Sequence, residues 1–363
     1  MLMTNALTQL FLKPLAKQNL PLPEGEGRLS RCKQKTEAKG EGIIRFLHLT
    51  FVIGYLTFLF SGASFAMGDL PKAKPLGPIK VEFVKAFGLP GSSDGDFSFP
   101  SDIDIGNNGD LETGLGSLFV ADTGNNRIQR LDADGDFIYQ FGRFGTEAGN
   151  LNSPVGVAVD FNSRLYVSER DNDRVQLFDI RGNYIARIAS GEVKFKELNN
   201  PAGLCVDRFG SLFIADSGND RIVKFDELGD FVDAFGGFGF GLGFFDKPMS
   251  VAVDRNNLIY VADTNNNRVQ VLDYDGRPIR SFGENGDQPG QFSLPEGIAV
   301  DVDLIYVVDT GNKRVQIFNH NGDFITSFAG FDRPTGISVS NSGQIFVVDS
   351  ARNLIKQFSL RSL

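Results

Sequence analysis

Histidine and cysteine are scarce in this chain, with only His48, His320, Cys32 and Cys205 among 363 residues. One of each lies before residue 66, in a segment set apart below. Cys205 and His320 remain, and they can form neither a Cys/His zinc site nor a disulfide framework. A Ser-His-Asp triad would have to use His320 as its base, and His320 sits in a turn-like NHNGD string. Oxygen ligands are more plentiful. Asp110 and Glu112 lie in GNNGDLETGLGS, with Asp102 and Asp104 just before it. Carboxylates so grouped could hold Ca²⁺, and Asn108, Asn152, Asn199 and Asn200 are further candidate donors. No fixed calcium-loop spacing is met, so a solvated acidic loop is the competing reading. No cofactor is expected otherwise.

A second set of carboxylates recurs with the sequence. Asp122, Glu169, Asp216, Asp263 and Asp309 are each followed five residues later by Arg127, Arg174, Arg221, Arg268 and Arg314. Residues present in every repeat are needed by the repeat, so these read as structural ion pairs, with a metal-binding ring as the alternative. A sixth copy, at Asp349, has Leu354 in the Arg position, and the nearby Arg352 is the expected substitute.

The elements carrying these pairs are repeated six times. Pro, one residue, then Gly or Ser opens an alternating apolar run in PSDIDI, PVGVAVD, PAGLCVD, PMSVAVD, PEGIAVD and PTGISVS. Each is followed by a string such as LFVADTGNNRIQRLD or IYVADTNNNRVQVLD, and the first five by a third such as DFIYQFG. Alternation over four to seven residues, bounded by Gly, Asn and Asp, reads as short antiparallel strands a, b, c and d. Four strands per unit, with starts 39 to 54 residues apart, give a six-bladed β-propeller. The last unit lacks strand d after Phe358, while VEFVKAFG stands unpaired before the first Pro. Pairing the two closes the ring and removes both exposed edges.

Together P-x-G-[IV]-A-V-D and [IL]-Y-V-A-D-[TS]-G-N-N-R-[VI]-Q resemble the NHL repeat, over about residues 80–360. That resemblance also implies a six-bladed propeller. It does not imply one function, since propellers carry unrelated chemistries. Similar lyases need several His ligands, which this chain does not have. NHL domains of RNA-binding ubiquitin ligases come with RING cysteines, which are also missing here.

Residues that repeat explain much of the high Phe count of 34. The apolar residue three before each Pro (Phe97, Leu151, Leu198, Phe245, Phe292, Phe331) reads as a plug between blades. Phe87, Phe141, Phe235, Phe282 and Phe328 recur in strand d. Departures from the repeat are more informative. The d–a loop GGFGFGLGFFDKP adds Phe238, Phe240 and Phe244 beyond the plug, as either an apolar contact surface or a filled loop core. Blade 2 carries Ser168-Glu169-Arg170-Asp171-Asn172 in place of the ADTGN of blade 1. Propeller d–a and b–c loops share one face, so Phe238, Phe240, Phe244, Glu169 and Arg170 form the expected partner surface. The expected function is a non-enzymatic binding propeller for a protein, peptide or glycan. The alternative is a lyase or lactonase using Ca²⁺ in the central channel.

Residues 1–66 read as a leader, with an apolar core at about 46–60, and SFA at 64–66 fits signal cleavage. An uncleaved anchor is the alternative, and it is the single route by which a membrane enters the reading. A linker at 67–79 precedes the propeller at 80–363. Without residues 1–66, 28 Lys and Arg stand against 41 Asp and Glu, and the net charge moves from −9 to −13. Such a chain repels phosphate backbones, so nucleic acid is not an expected partner. Export to the periplasm, cell surface or extracellular space is expected, as a monomer.

Overall fold

In the computed structural model, residues 79–106, 116–188 and 197–362 are described. The leader, the linker up to residue 78, and Asn108, Asp110 and Glu112 lie outside them. No helix among the described residues is long and apolar enough to cross a membrane.

Six four-stranded antiparallel sheets form the blades. Blade 1 comprises Asp102–Gly106, Ser117–Asp122, Arg127–Leu131 and Phe137–Phe141, as strands a to d. Strands a of blades 2 to 6 start at Pro154, Pro201, Pro248, Pro295 and Pro334. Proline suits that place, because it opens the strand and its missing N–H takes no ladder bond. Blade 6 is completed by Ile79–Phe87, which pairs with Leu354–Ser362 from Ile79 opposite Ser362 to Phe87 opposite Ile355. The chain is therefore an all-β six-bladed propeller, and the strand missing after Phe358 is supplied from its N-terminal side.

Two kinds of contact make neighbouring blades interlock. Near the axis, strands a approach so closely that a Cβ on Gly156 would lie 2.6 Å from the Ala202 carbonyl oxygen. At the outer side, the c–d turn glycine of one blade rests on the strand d phenylalanine of the blade before. A Cβ on Gly182 would lie 2.4 Å from the Phe141 ring, and one on Gly276 2.1 Å from Phe235. These turn glycines have φ of +82° and +79°, which side-chain-bearing residues rarely adopt. Gly135 meets Phe87 in the same way at 2.5 Å, so the ring-closing strand uses the same interlock as the rest.

Between blades lie the plugs, all buried. Phe97 packs among Ile103 and Leu118 of blade 1 and Phe346, Val348 and Ile355 of blade 6. Phe292 does the same between blades 4 and 5. Burying one such side chain contributes about 1.5–3 kcal/mol, and the six plugs, four Phe and two Leu, knit the blades into one unit.

Removing residues 67–90 should expose the strand c edge of blade 6 and strip Phe87 from Gly135. The expected outcome is a stability loss of several kcal/mol, on the order of a large core truncation, and aggregation through the free edge. Melting curves and light scattering check this. A truncated protein that melts with the intact one and stays monodisperse contradicts the closure role.

Candidate functional site: loop clamps, rim and channel

Strands b and c place each repeated carboxylate directly opposite its arginine, as in Asp263 opposite Arg268. All of Asp122, Glu169, Asp216, Asp263, Asp309 and Asp349 are 0% exposed. Arg Nε meets them at 2.7 Å for Asp122–Arg127, 2.5 Å for Glu169–Arg174 and 2.7 Å for Asp216–Arg221. Asp263–Arg268 and Asp309–Arg314 pair at 2.8 and 2.7 Å. The remaining guanidinium N–H groups reach into the preceding d–a loop. Arg174 donates to the carbonyls of Thr146, Glu147 and Asn150, and Arg314 to those of Asp287, Gln288 and Gln291. The carboxylate also accepts a backbone N–H just after the plug, Ser98 at 2.8 Å on Asp122 and Ser293 at 2.7 Å on Asp309. Each carboxylate is thus consumed within its own repeat.

Two expectations change here. Glu169 is buried and bonded to Arg174, so it cannot touch a partner and belongs with the structural pairs. In blade 6, Lys356 joins Arg352 in replacing the missing arginine. Its ammonium sits 3.1 Å from Asp349, while Arg352 lies 3.8 Å from Asp349 and pairs more closely with Asp332 at 2.6 Å. Lys356 occupies the position two residues on, where blades 1, 2, 4 and 5 carry Gln129, Gln176, Gln270 and Gln316. That change of residue type was the signal in the sequence.

Clamping gives four d–a loops one shape. In 89–97, 143–151, 237–245 and 284–292, the third N–H bonds to the ninth carbonyl, and the ninth N–H to the first carbonyl. Position by position, Phe240 stands where the others have Ser92, Thr146 and Asp287. Phe244 stands where they have Asp96, Asn150 and Gln291, and Phe238 where they have Pro90, Phe144 and Asn285. Phe238, Phe240 and Phe244 are 65%, 72% and 51% exposed. Their rings are outside the loop core, and at the Phe240 and Phe244 positions the same backbone folds elsewhere with polar residues. Leu242, which the sequence reading passed over, is exposed beside them, and comparing the four loops in register would have found it. Arg268 and Gln270 of blade 4 hold this loop, and Gly243 sits against Pro278 of its strand d, which places it at the outer flank between blades 3 and 4.

Arg170 lies elsewhere. It lines a cavity of about 600 Å³ at the channel mouth, together with Asn200, Lys247, Glu296 and Arg333. The expected surface therefore divides into an apolar rim and a charged mouth.

At the other end the channel widens into a cavity of about 540 Å³ lined by Asp102, Asp104, Cys205 and Ser338. Asp102 accepts the Val157 N–H at 3.1 Å, and Asp104 accepts the Val159 N–H at 2.8 Å and the Ser338 hydroxyl at 3.0 Å. Burial pushes Asp102 up to about 8 and Asp104 up to about 6, against the lowering effect of these donors. The candidate amides are used locally: Asn199 donates to the Gly218 carbonyl, Asn200 to Asn199, and Asn152 to Asn172. Among the described residues no group of three or more His, Cys, Asp or Glu is placed to hold a metal. Burial raises the Cys205 thiol far out of the reactive range. His320 bonds the Tyr260 hydroxyl at 2.8 Å and ties the c–d turn of blade 5 to blade 4.

With this geometry in view, residues 198–225, 245–272, 292–318 and 331–358 match the NHL repeat family. Four of the six blades thus carry a segment that matches the NHL repeat. Each matched segment runs from plug to strand c, in blades 3 to 6. Blades 1 and 2, outside the matches, carry the departures Asp102, Asp104, Glu169 and Arg170. No curated protein matches the chain. Among solved structures it is similar to a streptogramin B lyase, with 13% identity and TM-score 0.54 over 78% of this chain and 98% of that one. It is also similar to XC5397 from Xanthomonas campestris, described as a gluconolactonase, with 15% identity and TM-score 0.56 over 80% and 99%. A chain of a nidogen/laminin complex is similar at 16% identity and TM-score 0.54, over 72% and 97%. These likenesses establish the shared fold.

Two outcomes follow from the buried charges. Arg268→Met should cost about 3–5 kcal/mol in urea unfolding, because Asp263 is left buried and unpaired. Pairing it with Asp263→Asn should recover part of that loss. If Arg268→Met alone costs under about 1 kcal/mol, the clamp is not needed. The channel carboxylates give a pH effect of opposite sign to ordinary ion pairs. Their folded pKa values are raised, so the native state holds protons that the unfolded chain has released above about 4. Their contribution to stability is therefore greatest at acid pH and falls as pH rises toward 8. Asp102→Asn should be the more stable protein at pH 8, by at least about 2 kcal/mol relative to the difference at pH 4. Parallel pH curves for the two proteins would contradict it.

Proposed function

We propose that the protein is an exported, non-enzymatic binding propeller, acting as a monomer that captures a protein, peptide or glycan. One observation carries this reading. Where the other three loops carry Ser92, Thr146 and Asp287, or Asp96, Asn150 and Gln291, this one presents Phe240 and Phe244 to solvent, with Phe238 and Leu242 exposed beside them. Folding does not require these apolar side chains, so a contact with another molecule is the remaining reason for them. Phe238 and Phe240 hold each other edge-to-face at 5.8 Å, a pre-arranged pair that loses little freedom on docking. The nidogen/laminin structure pairs a propeller-fold chain with another protein, which supports binding as a use of this architecture. Export rests on the apolar run and SFA site of the leader. The second reading, a lyase or lactonase with Ca²⁺ in the channel, draws on Asp102 and Asp104. Stoichiometric Ca²⁺ in the purified protein would favour it over the first.

The test exchanges Phe238→Asn, Phe240→Asp and Phe244→Gln, the residues found at the same positions of loop 284–292. The triple variant should melt within a degree or two of the parent, since those residues suit the same backbone. Its capture of a partner from the native envelope fraction should fall at least tenfold, as losing buried aromatic anchors costs about 2 kcal/mol or more. Undiminished capture by the folded variant, or no capture by the parent, refutes the rim as the binding surface. If the variant unfolds, the rings are core.

A further inference from the structure

Three positions in each repeat surround the channel mouth: the residue after the clamped carboxylate, and those before and after the strand a proline. After the carboxylate the blades carry Thr123, Arg170, Ser217, Thr264, Thr310 and Ser350. In blades 1 and 4 this hydroxyl ties the next blade, Thr123 donating to the Pro154 carbonyl at 2.7 Å and Thr264 to Pro295 at 2.6 Å. In blade 2 a bond to the next blade is made two residues earlier, by Ser168 to the Ala202 carbonyl at 2.6 Å. Position 170 is thereby released from the scaffold, and it holds an arginine.

The proline-flanking positions vary in the same way. Lys247 and Arg333 stand before proline where blades 1, 2, 3 and 5 have Phe99, Ser153, Asn200 and Leu294. Glu296 follows proline where the others have uncharged residues. All four charged side chains line the 600 Å³ mouth, and Arg170, Glu296 and Arg333 continue into the neck below it. Glu296 is answered by Arg333 at 3.0 Å. Two further carboxylates at the mouth serve the scaffold. Asp220 accepts the Lys247 backbone N–H, as Asn267 accepts that of Leu294, and Asp246 accepts from Asn265. Arg170 is shared with Asp171 at 3.0 Å, a half-exposed pair worth little in water. Among the described residues no hydrogen bond or ion pair holds the Lys247 ammonium. In the neck, the buried Thr335 hydroxyl has no partner.

We propose that this mouth is a second binding site, distinct from the aromatic rim, for a small ligand that carries an oxyanion and hydroxyl groups, as an acidic sugar does. The oxyanion is received by Arg170 and Lys247, since Arg offers a planar fork and Lys a point charge. Hydroxyl groups are received by Glu296, Asn200 and Thr335. The volume falls within the range of small-molecule sites, and blades 2 to 6 contribute to its lining.

The test titrates the full chain, at low salt, with galacturonate, inorganic phosphate and galactose by calorimetry. Binding of galacturonate or phosphate with Kd of about 1 mM or tighter, and not of galactose, is the expected result. Galacturonate alone identifies a carboxylate ligand, and phosphate alone a phosphate ligand. The Arg170→Thr, Lys247→Asn variant uses residues other blades carry there, and should weaken binding at least tenfold at unchanged melting temperature. If it melts lower, the single Lys247→Asn at an exposed side chain gives the same reading with a smaller loss. The rim variant should bind the anion as the parent does. Absence of binding by both anions, or equal binding by the mouth variants, overturns the proposal.

Discussion

The buried carboxylate that joins strand b to the preceding loop is the constraint from which the rest of this propeller follows. A carboxylate removed from water is costly unless its lone pairs are all used. Here one oxygen meets an arginine, another the N–H after the plug, and amides of Asn and Gln complete the set, as Asn266 and Gln270 do for Asp263. The arginine then spends its other donors on loop carbonyls that would otherwise face the blade interior unpaired. One charge pair thus fixes strand b to strand c, the loop to both, and the plug beneath the loop. Blade 6 shows how strict the need is: with Leu354 in the arginine position, a lysine two residues on and Arg352 supply the charge.

A fixed loop backbone frees its outward side chains. The nine-residue loops keep the same internal bonds whether their tips carry Asp94, Ala148, Leu242 or Pro289. This separation lets the rim acquire four apolar side chains with no change in the scaffold. The axis obeys the opposite rule, because strands a crowd there. Glycine or another small residue fills most positions, and Asp102 stands where blades 2, 3, 5 and 6 have glycine. It occupies that place by accepting a backbone N–H from the next blade, at the cost of a carboxyl held largely protonated near neutral pH.

Much of this was legible before any coordinates, and for one reason: repetition turns position into meaning. The five-residue spacing of Asp and Arg across a tight b–c turn places them opposite one another in an antiparallel pair, and they are found there. The unpaired VEFVKAFG string and the missing last strand implied ring closure. Radius was not legible. A d–a loop runs from the outermost strand to the innermost, so Phe240 and Lys247, seven residues apart, end at the flank and at the mouth. Adjacent residues diverge as well, since Glu169 is sealed in the blade while Arg170 reaches the channel. Reading both as one surface followed from knowing the face without the radius.

That difference in radius also constrains what the two departures can recognise. The rim offers uncharged, exposed apolar side chains on a loop held by its own backbone hydrogen bonds, suited to a partner large enough to bring its own apolar face. The mouth sets Arg170, Lys247 and Arg333 beside Asp220, Asp246 and Glu296, in a chain whose net charge is −13 without residues 1–66. At physiological salt, charges are screened beyond about 8 Å. A small anion within the mouth therefore feels mainly the charges that line it, and Arg170 and Lys247 are the ones placed to receive it. A polyanion would have to lie across the surrounding acidic surface and would meet repulsion along its length. Placing a few cations at the centre of an acidic disc thus selects by size as well as by charge.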